Sequence, residues 1–433
     1  MKIAILGYDT EGHASYDYFA AQGGHELVIH DRKTDIEVPE GVDSVLGEVY
    51  LDDLDRYDLL VRTAGLKPSQ ILDKNPSVTD KITTHINEFL KASPTKNIIG
   101  VTGTKGKGTT STLIAKMLEA AGKDVQLGGN IGTPPLTFLN KLSIDSWVVL
   151  ELSSFQLIDL KQSAHIAVCL MVVPEHLDWH PTTDEYFEAK SQLFAHQSAD
   201  DIAIYFGQNE TSKTIASASP GQKIPYFEKP GAYIDGGSVV IEGHKVCLTS
   251  ELKLPGKHNW QNVCAAVTAV WQVTQDVEPI CSVLTSFTSM EHRIEFVREL
   301  DGVKYYNDSY GTSPETAMVA MDAFEAPEIV ILGGRGKGIP FDDLARHVAQ
   351  KPNIKGVIAI GETGDEIASL LKSAGYEAIT KGGKTIEEIV GQARELASPG
   401  DVVILSPACT SFDMFKNYKQ RGEQFKAAVQ ALA

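Results

Sequence analysis

This chain is short of cysteine, short of basic charge and without a long apolar run, and each shortage closes off a class of function. Its five cysteines, Cys169, Cys247, Cys264, Cys281 and Cys409, are odd in number, widely spaced and never in a C-x-x-C pair. Neither a disulfide framework nor a cysteine zinc site is expected. Lys and Arg total 39 against 57 Asp and Glu, a net charge of −18, which argues against a nucleic-acid binder and against docking on an anionic membrane. The longest uncharged run, Asn259 to Gln275, is broken by Asn, Gln and Thr, and Met1 leads straight into a strand pattern with no apolar leader. A cytoplasmic protein is therefore expected. There is no internal repeat and no low-complexity tract. What remains is an ordinary globular composition, 42% hydrophobic and 22% charged over 433 residues, long enough for roughly three domains with their own cores.

The most informative stretch is IIGVTGTKGKGTTSTLIAKMLEAAG, Ile98 to Gly122, which reads as a short strand, a glycine-rich turn and a helix. Leu113, Ile114, Met117, Leu118 and Ala121 fall on one helical face. Gly103, Gly106 and Gly108, in the turn with Thr104 and Lys105, let backbone N–H groups approach a phosphate at the positive end of the following helix. Lys107 is placed to reach the terminal phosphates of ATP, and Thr109 or Thr110 to give a hydroxyl to the accompanying Mg2+ (or Mn2+). The turn departs from a strict P-loop, with Val101 where a glycine is wanted and Gly108 where a hydroxyl is wanted.

Before it, strands at Lys2–Leu6, Glu26–His30 and Leu59–Arg62 resemble a Rossmann half with a defective glycine fingerprint, and Lys81–Lys91 reads as helical. After it, Trp147–Leu150 ends in Glu151, and Ile166–Val173 ends in Pro174-Glu175-His176. Parallel strands share one C-terminal edge, so Glu151 and His176 are expected to face the triphosphate, and both are feasible metal ligands. A helix carrying Tyr186, Phe187, Ala189, Lys190 and Leu193 follows, then a strand at Asp201–Phe206, a hairpin over Ala232–Leu248, and a glycine-bearing entry (LPGKHNW) into a helix Trp260–Trp271. Asn259 and Asn262 lie on one face of that entry, able either to cap it or to read a purine edge. A last α/β stretch has strands at Val303–Tyr306, Ile329–Leu332, Val357–Ile360 and Val402–Leu405, each ending in a polar or glycine-rich turn. The expected boundaries are 1–93, 94–289 and 290–433.

Taken together these motifs resemble the Mur ligase family, ATP-dependent amide ligases of peptidoglycan precursor synthesis. The resemblance is clear from the P-loop to the C-terminus and looser before it. It implies an α/β fold of three domains: Rossmann-like, P-loop ATPase and Rossmann-like. GGNIGTP at Gly128–Pro134, ELSSFQL at Glu151–Leu157 and LSPACTSFDMFKNYKQRGEQF at Leu405–Phe425 look like the members that add D-glutamate to UDP-N-acetylmuramoyl-L-alanine. By this resemblance Glu151 and a threonine at 109 or 110 hold one Mg2+, and His176 a second. Lys190, from sequence alone a solvated helix lysine, matches the lysine that the family carbamylates. Asn262 matches the adenine-reading amide, and His292, Arg293 and Asp308 match residues closing over ATP. The uridine end would lie against Gly7, Thr10, Asp31, Arg32 and Thr63–Gly65, with Asn130 touching the same precursor. Thr312, Lys337, Ser411 and Phe412 match the D-glutamate site. Tyr310 stands where a lysine is expected and Arg335 where an acid is common, so a relative adding another amino acid, or a non-catalytic ATP-binding shell, is the alternative. Partners are expected to be small molecules, with the chain acting as a monomer.

Overall fold

The computed structural model describes residues 1–254, 256 and 259–433. The chain folds into two compact units, one of residues 1–251 and 260–285, the other of 252–259 and 286–433.

The first unit holds two parallel sheets. Strands Asp43–Leu46, Glu26–Asp31, Lys2–Leu6, Leu59–Arg62 and Ile82–Thr84 lie side by side in that order, which is the Rossmann order short of its sixth strand. The last of these corrects the expected helix over Lys81–Lys91. Its β-branched residues Ile82, Thr83 and Thr84 pair with Leu60–Arg62, and only then does the Thr84 hydroxyl accept from Asn87 N–H to start the helix His85–Ala92. Tertiary pairing overrides local periodicity at such a short edge. The second sheet runs Gln222–Tyr226, Ile202–Phe206, Ile166–Cys169, Ile98–Thr102, Trp147–Glu151, Val125–Gly129, all parallel. One apolar core, including Ile86, Phe89, Phe138, Val148, Leu157 and Leu193, joins the first sheet's last helix to the central sheet. The Arg62 guanidinium, fully buried, spans the same seam by pairing both oxygens of Asp159. Segment 232–248 is a three-stranded antiparallel sheet and not a single hairpin. Helix Asn259–Trp271 follows; its expected entry at Pro255, Lys257 and His258 lies outside the described residues.

The second unit has one sheet, ordered Glu295–Leu300, Val303–Asn307, Val402–Leu405, Glu328–Gly333, Ile354–Ile360, Ile379–Lys381. The first pair is antiparallel and the rest parallel. All five cysteines are free. Among the described residues no helix is long and apolar enough to cross a membrane.

Glu328, at the start of its strand, has no exposed surface. One oxygen accepts from Asn353 and lies 3.6 Å from Lys351, while the other is buried with no partner. Burial pushes its carboxyl up to about 8, against the pull of Lys351. Folding therefore takes up a proton between the ordinary carboxylate pKa and about 8, so stability falls as pH rises through that window. Glu328→Gln is expected to gain on the wild type by on the order of 2 kcal/mol between pH 5 and pH 8. Denaturant midpoints of the two proteins running parallel across that range would disprove it.

Candidate active site

The glycine-rich turn leaves the central strand Ile98–Thr102 and enters helix Lys107–Ala120. A Cβ on Gly103 (φ +146°) would sit 2.6 Å from Leu170 Cβ, and one on Gly106 (φ +86°) 2.1 Å from the Asn262 carboxamide oxygen. No side chain fits at either place, so the loop backbone is closely backed and its open side is left for a ligand. The loop also explains why the strand from Ile166 stops at Cys169 and not at Val173. Thr104 takes over its pairing: its N–H donates to Met171 O, and its hydroxyl accepts from Val173 N–H. Lys107 Nζ donates to the carbonyls of Gly103 and Thr104. Thr109 is half-buried, whereas Thr110 is fully buried with no partner for its hydroxyl.

At the same sheet edge, Glu151 is 2% exposed; Asn130 Nδ2 donates to its Oε1 at 2.9 Å, and its Oε2 is buried with no partner. A desolvated carboxylate oxygen without a donor is costly, and the arrangement suits a cation. Gly129 makes it possible, since a Cβ there would lie 2.2 Å from the Glu151 carbonyl. Lys190 is not the solvated lysine its helix position implied. It is 1% exposed, its Nζ 2.9 Å from Gly103 O and 4.6 Å from the Tyr186 ring centroid. Burial first, and the Lys107 charge second, pull its pKa down to about 7, so a large fraction is neutral amine at physiological pH. His176 has φ +59°, and its imidazole lies 3.7 Å from Glu175 and is packed edge-on to Phe155. Burial, partly offset by Glu175, lowers its pKa. Among the described residues, the group of three His, Cys, Asp or Glu with ligand atoms within 4.8 Å of one another is Glu291, His292 and Glu423. It lies in the second unit, and Lys426 already pairs with both its glutamates.

In the first sheet, Gly7 (φ +92°) approaches Thr63 so closely that a Cβ would lie 2.4 Å from its hydroxyl. Asp31 has both oxygens engaged, by the N–H groups of Tyr8 and Lys33, so it shapes the loop between Gly7 and Thr10. Arg32, Thr10 and Gly65 are exposed around it. Glu11 pins the other side, accepting from Ala64 N–H and from the Gln156 side chain.

In the second unit, Lys337 Nζ donates to the Thr312 hydroxyl at 2.9 Å. The turn carrying Lys337 is tied to the loop before Ser411 by paired Arg335 and Thr410 backbone bonds. Ser411 is buried and Phe412 is 60% exposed. Arg335, the unexpected base, is taken up by a two-point pair with Glu362. Tyr310, the unexpected aromatic, lies under the Arg293 guanidinium at 3.8 Å. Asp308 accepts from Ser406 Oγ and Ile294 N–H, and burial raises its pKa to about 7.

Residues 101–270 match the Mur ligase middle domain and residues 292–409 the Mur ligase, glutamate ligase domain. The chain is 38% identical to the UDP-N-acetylmuramoylalanine–D-glutamate ligase of Clostridium kluyveri, over 99% of this chain and 96% of that one. The chain belongs to the Mur ligase family. A second relative of the same name, from Symbiobacterium thermophilum, is 37% identical over 100% of this chain and 98% of its own. Two Thermotoga maritima structures share the fold. A MurF ligase in complex with ADP has a TM-score of 0.60 at 17% identity, covering 100% of this chain and 95% of that one. The UDP-N-acetylmuramate–alanine ligase MurC has 0.61 at 16%, covering 100% and 99%.

In this Mur ligase several side chains to which the sequence assigned no role support the strand-end turns of each unit. Glu175 holds Lys105 in an ion pair and faces His176, and Tyr186 hydrogen-bonds Thr104. Arg421, buried, donates to the carbonyls of Ser309 and Cys409 and so joins two strand-end turns. Glu175 stands beside a singled-out histidine, which was a usable hint. Arg421 becomes meaningful only once the last helix is packed.

Proposed function

We propose that this chain joins D-glutamate to UDP-N-acetylmuramoyl-L-alanine at the expense of ATP, through an acyl phosphate, as a cytoplasmic monomer. The observation that carries the reading is the meeting of three things at one sheet edge: the closely backed phosphate loop, the partnerless oxygen of Glu151 and the near-neutral buried Lys190. The choice of D-glutamate is supported by whole-chain likeness to ligases of that name.

In the reaction, a carboxylate oxygen of the muramoyl-alanine attacks the γ-phosphorus and ADP leaves. The glutamate amine, having lost a proton, then attacks the acyl carbon. The carbon–oxygen bond breaks and phosphate departs with the carboxylate's oxygen. Lys107 and the loop N–H groups balance charge on the transferred group, which is most of what a protein contributes to phosphoryl transfer. Asn262, whose carboxamide lies against Gly106 of the loop, is assigned to the adenine by likeness to the family. Arg293 and Asp308 are assigned to the nucleotide by their likeness to the family's residues. Gly7, Thr10, Asp31, Arg32, Thr63 and Gly65 take the uridine end, and Asn130 meets the precursor while orienting Glu151. Thr109, Glu151, His176 and a carbamylated Lys190 are the residues that fit Mg2+. Bound there, the ion would neutralise phosphate charge and polarise the phosphorus. Lys190 suits carbamylation because only the neutral amine adds CO2, and the product offers a hard cation oxygen in place of an ammonium.

Because Gly108 displaces the expected hydroxyl by one position, the half-buried Thr109 is the metal ligand and the enclosed Thr110 is not. Thr109→Val is expected to raise the Mg2+ concentration needed for half activity more than Thr110→Val does; the reverse ranking would overturn this register. For the amino acid, Lys337 and Thr312 receive a carboxylate. Lys337→Met should raise KM for D-glutamate about 10- to 100-fold with KM for ATP nearly unchanged, the loss of a charge-assisted bond worth roughly 1.5 to 3 kcal/mol. Equal changes in both constants would remove Lys337 from the amino-acid site. The whole reading is tested by phosphate release with a panel of D- and L-amino acids, where D-glutamate alone should support turnover. Comparable turnover with L-glutamate or alanine would refute it.

A further inference from the structure

Between the loop Thr63–Gly65 and His176 lies a small aromatic shelf that none of the roles above uses. Trp179 directs its indole Nε1 at the Gly65 carbonyl, 3.5 Å away, and its ring packs on Phe155 with centroids 4.6 Å apart. Phe155 in turn packs on His176, and Leu177 beside them is 54% exposed. Over the indole, at 5.1 Å from the centroid, stands the ammonium of Lys67. Lys67 is half-buried, yet among the described residues it has no carboxylate partner, in a protein of net charge −18. A lysine resting on a ring with no carboxylate partner can turn to an anion, because a cation–π contact at a partly solvated site is weak.

We propose that Trp179 and Lys67 form the sugar-diphosphate subsite: the indole supports the apolar C–H face of the amino-sugar ring, and Lys67 leaves the indole to pair with the diphosphate. This rests on the substrate reading given above. A ligand with its uridine at Gly7 and Thr63–Gly65 and its carboxylate at the phosphate loop has to cross the ground between Gly65 and His176. The part of it that crosses is the diphosphate followed by the sugar. The order along the shelf matches, since Lys67 is two residues from Gly65 and Trp179 three residues from His176. Aromatic rings with one wet edge are suited to such mixed surfaces, and a compact ammonium to a phosphate group.

The test is isothermal titration of wild type, Trp179→Ala, Trp179→Phe and Lys67→Met with three ligands: UDP-N-acetylmuramoyl-L-alanine, UDP and ATP. Trp179→Ala should weaken the sugar nucleotide about 10-fold and leave UDP and ATP unchanged. Trp179→Phe, which keeps a ring in place, should lose much less. Lys67→Met should weaken both uridine ligands about 10-fold and leave ATP unchanged. The chain has four tryptophans, and the fluorescence change on adding the sugar nucleotide should vanish in Trp179→Phe. Uniform loss of all three ligands would make Trp179 a structural brace between the two sheets and overturn the proposal, as would unchanged affinities. If wild type itself fails to bind the sugar nucleotide, the substrate reading falls, and this subsite with it.

Discussion

Lys107→Ala is expected to lower kcat by on the order of 100-fold or more, because the charge that develops on the transferred phosphoryl group loses a preorganised cation. The fold should survive. Lys107 is the first residue of its helix and partly exposed, and alanine is a good helix former there. Phosphate release under saturating substrates measures the loss, and thermal denaturation checks that the variant is folded. Activity within a few-fold of wild type would show that this loop does not hold the triphosphate. Lys107 also helps to keep Lys190 near neutrality. Its removal should make Lys190 more basic and less able to take up CO2, so changes at the two lysines should not add.

Lys190→Ala is expected to be of similar severity, for a different reason. It removes the oxygen donor that a carbamate would supply, and it leaves a cavity beside Gly103 and Tyr186, which Lys190 fills. Part of the activity should return with added formate or acetate, small carboxylates that fit the space and provide the missing oxygens. In the wild type, carbon-13 bicarbonate should give a carbamate resonance that the variant lacks. An unmodified Lys190 in a complex with ATP and metal, or a variant that no carboxylate rescues, would remove the carbamate from the scheme.

The strand, glycine-rich loop and helix could be read from the chain because their signals are local: an apolar strand, glycines in a turn, and a helix with an apolar face. The strand, the turn at Gly103 and Gly106, and the helix were in place in the fold, although Gly108 lies within the helix and Ala121 just past its end. The position of Glu151 and His176 at one edge followed from the parallel-sheet rule. Lys190 illustrates what could not be read. Lysines on amphipathic helices are usually solvated, and only the packing of its helix against the Gly103 carbonyl makes it buried and weakly basic. The strand that ends early at Cys169 has the same kind of cause, since Thr104 captures the backbone of Met171 and Val173. Helix periodicity over Lys81–Lys91 misled because a three-residue edge strand leaves too little pattern to compete with it. Arg335 and Tyr310 departed from the family pattern, and their compensation by Glu362 and Arg293 lies across the fold, outside the reach of sequence spacing.

In the proposed reaction ATP activates the muramoyl-alanine carboxylate for attack by D-glutamate. Its most direct test is the fate of oxygen-18 placed in that carboxylate. If an acyl phosphate forms and the amine displaces phosphate, each phosphate released carries one labelled oxygen, and its release depends on D-glutamate. Unlabelled phosphate, or labelled phosphate released as fast without D-glutamate as with it, would contradict the account.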